Sequence, residues 1–166
     1  MDKIILTTKL SIEDYIKVNY HLFNRRWPIK VLTGIGIFLI LISLITLFSG
    51  DNSSWFLLIL GLFFSMGLRV TVYMNAKSSY KSDGRISETI TYEFDEENIQ
   101  VIGESFNSKL TWNKIYSVTE NKDWVLIWQN RQIANVVPKR DFKDGELRTF
   151  KSIIKLQSGL KNKLKI

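Results

Sequence analysis

Residues 31–48 (VLTGIGIFLILISLITLF) run for 18 positions without a charged side chain. A helix of that length is about 27 Å long, close to the roughly 30 Å hydrocarbon core of a bilayer. The alternative, a buried helix of a water-soluble protein, rarely shows so long an uncharged run. A second apolar run, residues 55–74 (WFLLILGLFFSMGLRVTVYM), follows almost at once and is interrupted by Arg69 in its last third. There the guanidinium can snorkel toward the exit interface; a place on a buried ion pathway is the competing reading. After residue 76 polar and apolar residues alternate and charges are frequent. A single globular core would not gather its apolar residues into one block, so the chain divides into a membrane part and a water-soluble part.

The expected organisation is a cytoplasmic strand and amphipathic helix over residues 1–28, then a first transmembrane helix over 29–48. An external loop over 49–54 and a second transmembrane helix over 55–75 follow. A linker over 76–85 leads to a cytoplasmic β-domain with a terminal helix over 86–166. The short loop, rich in Ser, Gly and Asn, forces an antiparallel hairpin. Lys17, Arg25, Arg26 and Lys30 precede the first span, and Arg69, Lys77, Lys81 and Arg85 end or follow the second. The loop has no Lys or Arg, so the positive-inside rule places both flanks in the cytoplasm. Arg25, Arg26, Trp27, Trp55 and Arg69 are the expected interface anchors, with Tyr73 at a span end. Gly61 and Ser65 form a small-xxx-small pair, and Gly34 and Gly36 offer a second smooth patch. Packing within the hairpin is favoured over dimerisation for these four.

The first thirty residues are too polar for a cleavable signal peptide. Residues 3–9 (KIILTTK) read as a short strand, and whether it completes the sheet of the β-domain across the membrane insertion is left open. Ser11 followed by Glu13 and Asp14 reads as a helix start. Ile12, Tyr15, Ile16, Leu22 and Phe23 then share one helical face, and Pro28 breaks that helix or begins the next. Beyond a polar linker at 78–84 the period falls to two. Strands are expected near Ile86, Ile90, Tyr92 and Phe94, then over 99–103, 106–112, 116–120, 124–129 and 132–137, in a meander of tight turns. A final helix carries Leu147, Phe150, Ile153, Ile154 and Leu160, with Gly159 as its stop.

This layout resembles the YcxB-like family of small bacterial membrane proteins. Its most specific part is residues 110–120 (LTWNKIYSVTE), the Trp124–Trp128 strand and residues 133–142 (IANVVPKRDF). A strand, a turn and Pro-Lys-Arg-x-Phe before a terminal helix also resemble bacterial pleckstrin-homology-like domains. The resemblance implies an α+β fold: a transmembrane two-helix hairpin plus a small antiparallel PH-like β-domain closed by a C-terminal helix. It carries over no catalytic set.

No nucleophile elbow, phosphate loop or metal-ligand spacing is present, and there is no cysteine. His21 is the sole histidine and reads as a solvated residue. The carboxylates of Glu96/Glu97 and Asp141/Asp144 fit a turn and a helix start. No enzyme activity, metal or cofactor is expected. Trp124 and Trp128 share a strand face with Leu126; they read as sandwich core or, more sharply, as an aromatic groove for a peptide or lipid. Lys139 and Arg140, with Lys151, Lys155 and the tail lysines 161, 163 and 165, read as a basic surface toward an anionic leaflet or as a solvated face. The net charge of +7 suits a membrane surface, and no recognition motif supports nucleic acid. The expected partners are the lipid bilayer of the bacterial cytoplasmic membrane and a protein, peptide or lipid head group; oligomerisation is open. The expected function is a non-enzymatic binding module at the inner leaflet. The alternative is a self-immunity protein against a membrane-active bacteriocin or toxin.

Overall fold

The computed structural model describes residues 3–48 and 54–164; most of the expected 49–54 loop lies outside them. The chain forms two compact units, one of residues 1–10 with 85–166 and one of residues 11–84.

The helical unit begins where Ser11 caps α1 (Ile12–Arg25). The Asp14 amide donates to Ser11 Oγ at 3.1 Å and the Ser11 amide donates back to Asp14 Oδ2 at 3.2 Å, a reciprocal cap that satisfies two orphan donors. Arg26 is extended, and α2 (Trp27–Phe48) starts at once with Pro28 in its first turn, where the missing N–H costs nothing. The second apolar segment is helical from Ser54 to Ser82: α3 (Ser54–Leu62), a π-helical turn (Phe63–Gly67) and α4 (Leu68–Ser82). The expected linker over 76–85 is therefore helix to Ser82 and a 3₁₀ turn over Gly84–Ser87. Polarity alone suggested a linker, but the stretch contains no breaker before Gly84. It also has a partner in α1: Tyr15 and Tyr80 lie 6.0 Å apart, and the Tyr20 hydroxyl donates to the Arg69 carbonyl at 3.1 Å.

Both long helices are apolar enough to cross a membrane, and only 11% of the most apolar stretch of each is buried. Phe38, Ile45, Phe56, Ile59 and Met66 are all more than half exposed, a surface that suits lipid far better than water. The helices meet along a seam of small residues. A Cβ at Gly36 would lie 2.8 Å from the Gly61 carbonyl oxygen and from the Ser65 amide; one at Gly61 would lie 2.7 Å from the Gly36 oxygen. Ser54 Oγ donates to Thr46 Oγ1 at 2.6 Å farther along. Gly36, Gly61 and Ser65 thus pack within the hairpin as expected. Gly34 does not: a Cβ there meets nothing within 4 Å, because it lies on another side of α2.

In the other unit, β1 (Ile4–Lys9) pairs antiparallel with β2 (Thr89–Phe94), from Ile4 opposite Phe94 to Lys9 opposite Thr89. β3 (Asn98–Ile102) and β4 (Asn107–Thr111) complete one sheet in the order β1-β2-β3-β4. The second sheet runs β7-β6-β5-β8, with β5 (Ser117–Glu120), β6 (Trp124–Trp128), β7 (Ala134–Pro138) and β8 (Lys161–Lys163). The expected meander is present in two parts, β2-β3-β4 in one sheet and β5-β6-β7 in the other, and β8, which was not expected, pairs parallel with β5. The tail was legible only as basic residues, since three alternating polar positions carry no apolar signal.

Helix α5 (Glu146–Leu156) closes the core. Phe94 and Phe150 meet edge to face at 4.8 Å, and Trp112 lies 6.3 Å from each. Trp112 sits in a 3₁₀ turn instead of the expected strand, where its indole reaches the Asp95 carbonyl at 2.9 Å. Burial pushes the Tyr92 hydroxyl above its usual pKa. At the rim the Ser105 hydroxyl and amide donate to Glu88 and hold its carboxyl below the usual range. Leu160 lies beyond α5 yet packs on the core, and Gly159 takes the positive φ of 86° that the intervening turn needs.

The glycine seam makes a direct test. Gly36→Leu should force the helices apart and destabilise the purified chain in detergent by about 1–3 kcal/mol. Gly34→Leu should be silent. Thermal unfolding with a spin-label distance across the hairpin measures both.

Candidate functional site

The Pro-Lys-Arg-Asp-Phe segment is a latch within the β-unit. It leaves β7 at Pro138 as a 3₁₀ turn over Lys139–Asp141. Lys139 ion-pairs with Glu120 at the end of β5, and Lys151 of α5 approaches the other oxygen of the same carboxylate at 3.0 Å. The Glu120 side chain is 1% exposed and each lysine 21%. A carboxylate so far from water requires its cations, because an unpaired buried charge costs several kcal/mol. Next along, Asp141 Oδ2 accepts from Thr8 Oγ1 of β1 at 2.5 Å, and Arg140 Nε lies 3.6 Å from Asp141 Oδ1. Phe142 packs 5.7 Å from Phe150. Three residues of this segment, Lys139, Asp141 and Phe142, thereby tie both sheets to α5. Lys139 is engaged inside the fold, while Arg140 is the more exposed member of the expected basic pair.

The tryptophans do not form an open groove. Trp124, Leu126 and Trp128 share one face of β6, as alternation requires, while Val125 and Ile127 face the core cluster. Even so the three are only 5%, 1% and 9% exposed. The Trp128 indole donates to Thr119 Oγ1 at 2.9 Å on the adjacent strand. Of the expected interface anchors, Trp27 and Trp55 are 74% and 55% exposed at the starts of their helices. Arg25 and Arg26 are exposed at the α1–α2 break.

A cleft that sequence reading missed lies at the end of α5. Trp112, Asn113 and Ile115 form one wall and Leu156 through Leu160 the other, around a cavity of about 430 Å³. The Gln157 amide holds the second wall in place by donating to the Glu96 carbonyl at 2.7 Å. Leu156 is 63% exposed and Tyr116 42%. Lys161 stands 5.9 Å over the Tyr116 ring, and Lys155 and Lys163 are exposed nearby in sequence. The surface of the cleft is mainly polar, from Asn113, Gln157, Ser158 and the backbone, with Leu156 as its exposed apolar side chain and Trp112 almost wholly buried behind it. The only sequence signal was an apolar Leu156 off the stripe of α5. Among the described residues no cluster of three or more His, Asp or Glu side chains is placed to hold a metal ion.

The chain is similar to the YcxB-like family over residues 94–154, where the model of that family matches. That segment takes in β3 through β7, the latch and most of α5. Comparison with curated proteins gives no match. Comparison with solved structures gives none.

If the latch holds the sheets together, Glu120→Gln should lower stability by about 1–3 kcal/mol, the cost of leaving buried partners mispaired. Lys139→Glu should cost more, by setting like charges together. Arg140→Gln should change least, since its side chain is 56% exposed and the substitution sets no like charge beside Asp141. Chemical denaturation of the purified chain followed by tryptophan fluorescence ranks the three.

Proposed function

We propose that the chain is a membrane-tethered binding module of the bacterial cytoplasmic membrane. The helical hairpin spans the bilayer, and the β-unit lies at the cytoplasmic face and binds a protein or peptide segment. The observation that carries the topology is the pairing of β1 with β2. Lys9 is opposite Thr89, so the chain leaves the β-unit and returns to it on neighbouring strands. A segment that departs and re-enters at one place crosses a bilayer an even number of times, which puts both flanks on one side. The Lys- and Arg-free loop supports the cytoplasm as that side, by the positive-inside rule. Two four-stranded sheets closed by α5 support the pleckstrin-homology-like reading of the β-unit.

The binding surface is the cleft between Trp112 and Leu160, and Lys161 follows its second wall in sequence. A mainly polar cleft beside one exposed apolar side chain, Leu156, suits a peptide that offers backbone hydrogen-bonding groups and a single apolar anchor, and the exposed Lys155, Lys161 and Lys163 nearby in sequence favour an acidic one.

Single cysteines test the topology, since the native chain has none. In intact cells an impermeant thiol reagent should label Ser53→Cys, and should label Ser158→Cys only after permeabilisation. The reverse pattern refutes the orientation. A photo-crosslinking residue at Leu156 should give a discrete protein adduct that one at Lys109 does not. Equal adducts from both positions would dismiss the cleft.

A further inference from the structure

The helical unit holds a second cavity, of about 340 Å³, lined by Asn24, Ile29, Lys30, Thr33 and Arg69. It draws on α1, α2 and α4. Two of its five lining residues are cations, yet Lys30 and Arg69 form no ion pair among the described residues. Arg69 Nη1 donates to the Ser65 carbonyl at the π-helical turn, and the Arg69 carbonyl accepts from Tyr20. The guanidinium is thereby held against its own helix with its other donors unspent, and it is half-buried. Thr33 Oγ1 is committed to the Ile29 carbonyl at 2.8 Å, which leaves Lys30, Arg69 and the Asn24 amide to meet a ligand.

The depth of this cavity follows from helix geometry. Thr46 and Ser54 touch, so they share a level. Lys30 lies about 24 Å back along α2 from Thr46, and Arg69 about 22 Å along its helix from Ser54. The two cations therefore reach one level, at one end of the hairpin. That end is separated from Phe48 by about 27 Å of helix, close to the hydrocarbon thickness, so the cavity falls at the head-group layer. Around it the hairpin presents exposed apolar side chains such as Val70 and Met74. Two cations without a counter-ion at the edge of a low-dielectric layer call for an anion, and the lipid phosphate is the anion available at that depth.

We infer that Asn24, Lys30 and Arg69 form a head-group site for an anionic phospholipid, with the two cations on its phosphate and the acyl chains along the exposed faces of the hairpin. The inference rests on the membrane-spanning reading of the hairpin and is independent of the cleft in the β-unit. Each cation contributes about a five-fold gain in affinity, so together they give a preference on the order of twenty-fold for an anionic over a zwitterionic lipid.

The test uses the full chain reconstituted in phosphatidylcholine bilayers, with spin-labelled phosphatidylglycerol or phosphatidylcholine as the probe and the motionally restricted fraction as the readout. The wild type should restrict phosphatidylglycerol preferentially. Lys30→Gln with Arg69→Gln should bring that preference to about two-fold or less. The charge-preserving pair Lys30→Arg with Arg69→Lys should retain most of it, and Lys155→Gln with Lys163→Gln should leave it unchanged. An undiminished preference in the Lys30/Arg69 variant would overturn the proposal, as would an equal loss in the Lys155/Lys163 control. Abolition by excess inorganic phosphate would make this a free-anion site and overturn the lipid assignment. Protease protection on the same bilayers reads insertion separately. A chain that is not inserted removes the hairpin reading and this site with it, whereas an inserted chain without lipid preference removes the site alone.

Discussion

The architecture depends on a strand pairing made across the whole helical unit. β1 hydrogen-bonds to β2 although residues 10–88 lie between the facing ends of the two strands. Closing so long a loop carries an entropic cost that grows with the logarithm of its length. The helical unit reduces that cost by bringing its own two ends together, since α1 packs on α4 with Tyr15 beside Tyr80. The β-unit stabilises the closed state from its side. Ile4 and Leu6 enter the core at 4% and 2% exposure, and Thr8 bonds Asp141 in the latch. Each unit thus favours the geometry that the other requires of the chain connecting them.

Within the hairpin the same economy appears in small residues. Lipid offers no hydrophobic drive between apolar helices, so close backbone approach must supply the attraction. Gly36 against Gly61 gives that approach, and Ser43, Ser54 and Ser65 are buried along the same unit with their hydroxyls bonded to neighbouring oxygens. Beyond Ser65 the helix loosens into a π-helical turn, and Arg69 follows directly. A π turn often marks a place where packing yields to another demand. Here it adjoins the cavity that carries the two cations.

Much of this was legible in the residues. An uncharged run of 18 fixed the first long helix, the Ser11 cap marked α1, and alternation placed most strands within two residues. What the residues concealed was long-range. The residues left open whether the first strand joins the β-domain, and nothing local tells that Ile4 will face Phe94, or that Lys139 will neutralise a buried carboxylate at the end of β5. Polarity misled twice. Residues 76–82 looked like a linker because their stabilising partner, α1, is distant in sequence. Lys139 looked like a surface cation because the burial of Glu120 is a property of the assembled sheet. The cleft at Trp112 was hidden for a related reason: its walls come from a 3₁₀ turn and a helix end, neither of which carries a period.

A designed disulfide tests the β1–β2 pairing, on which the rest of the structure depends, most directly. Thr7 and Thr91 are register partners with their hydroxyl oxygens 3.2 Å apart, and the native chain has no cysteine to compete. In membranes containing the full chain, Thr7→Cys with Thr91→Cys should oxidise rapidly to an intramolecular disulfide, far faster than Thr7→Cys with Asn107→Cys. Equal slow oxidation of the two pairs would mean that β1 does not complete the sheet, and the account of how the two units constrain one another would fail.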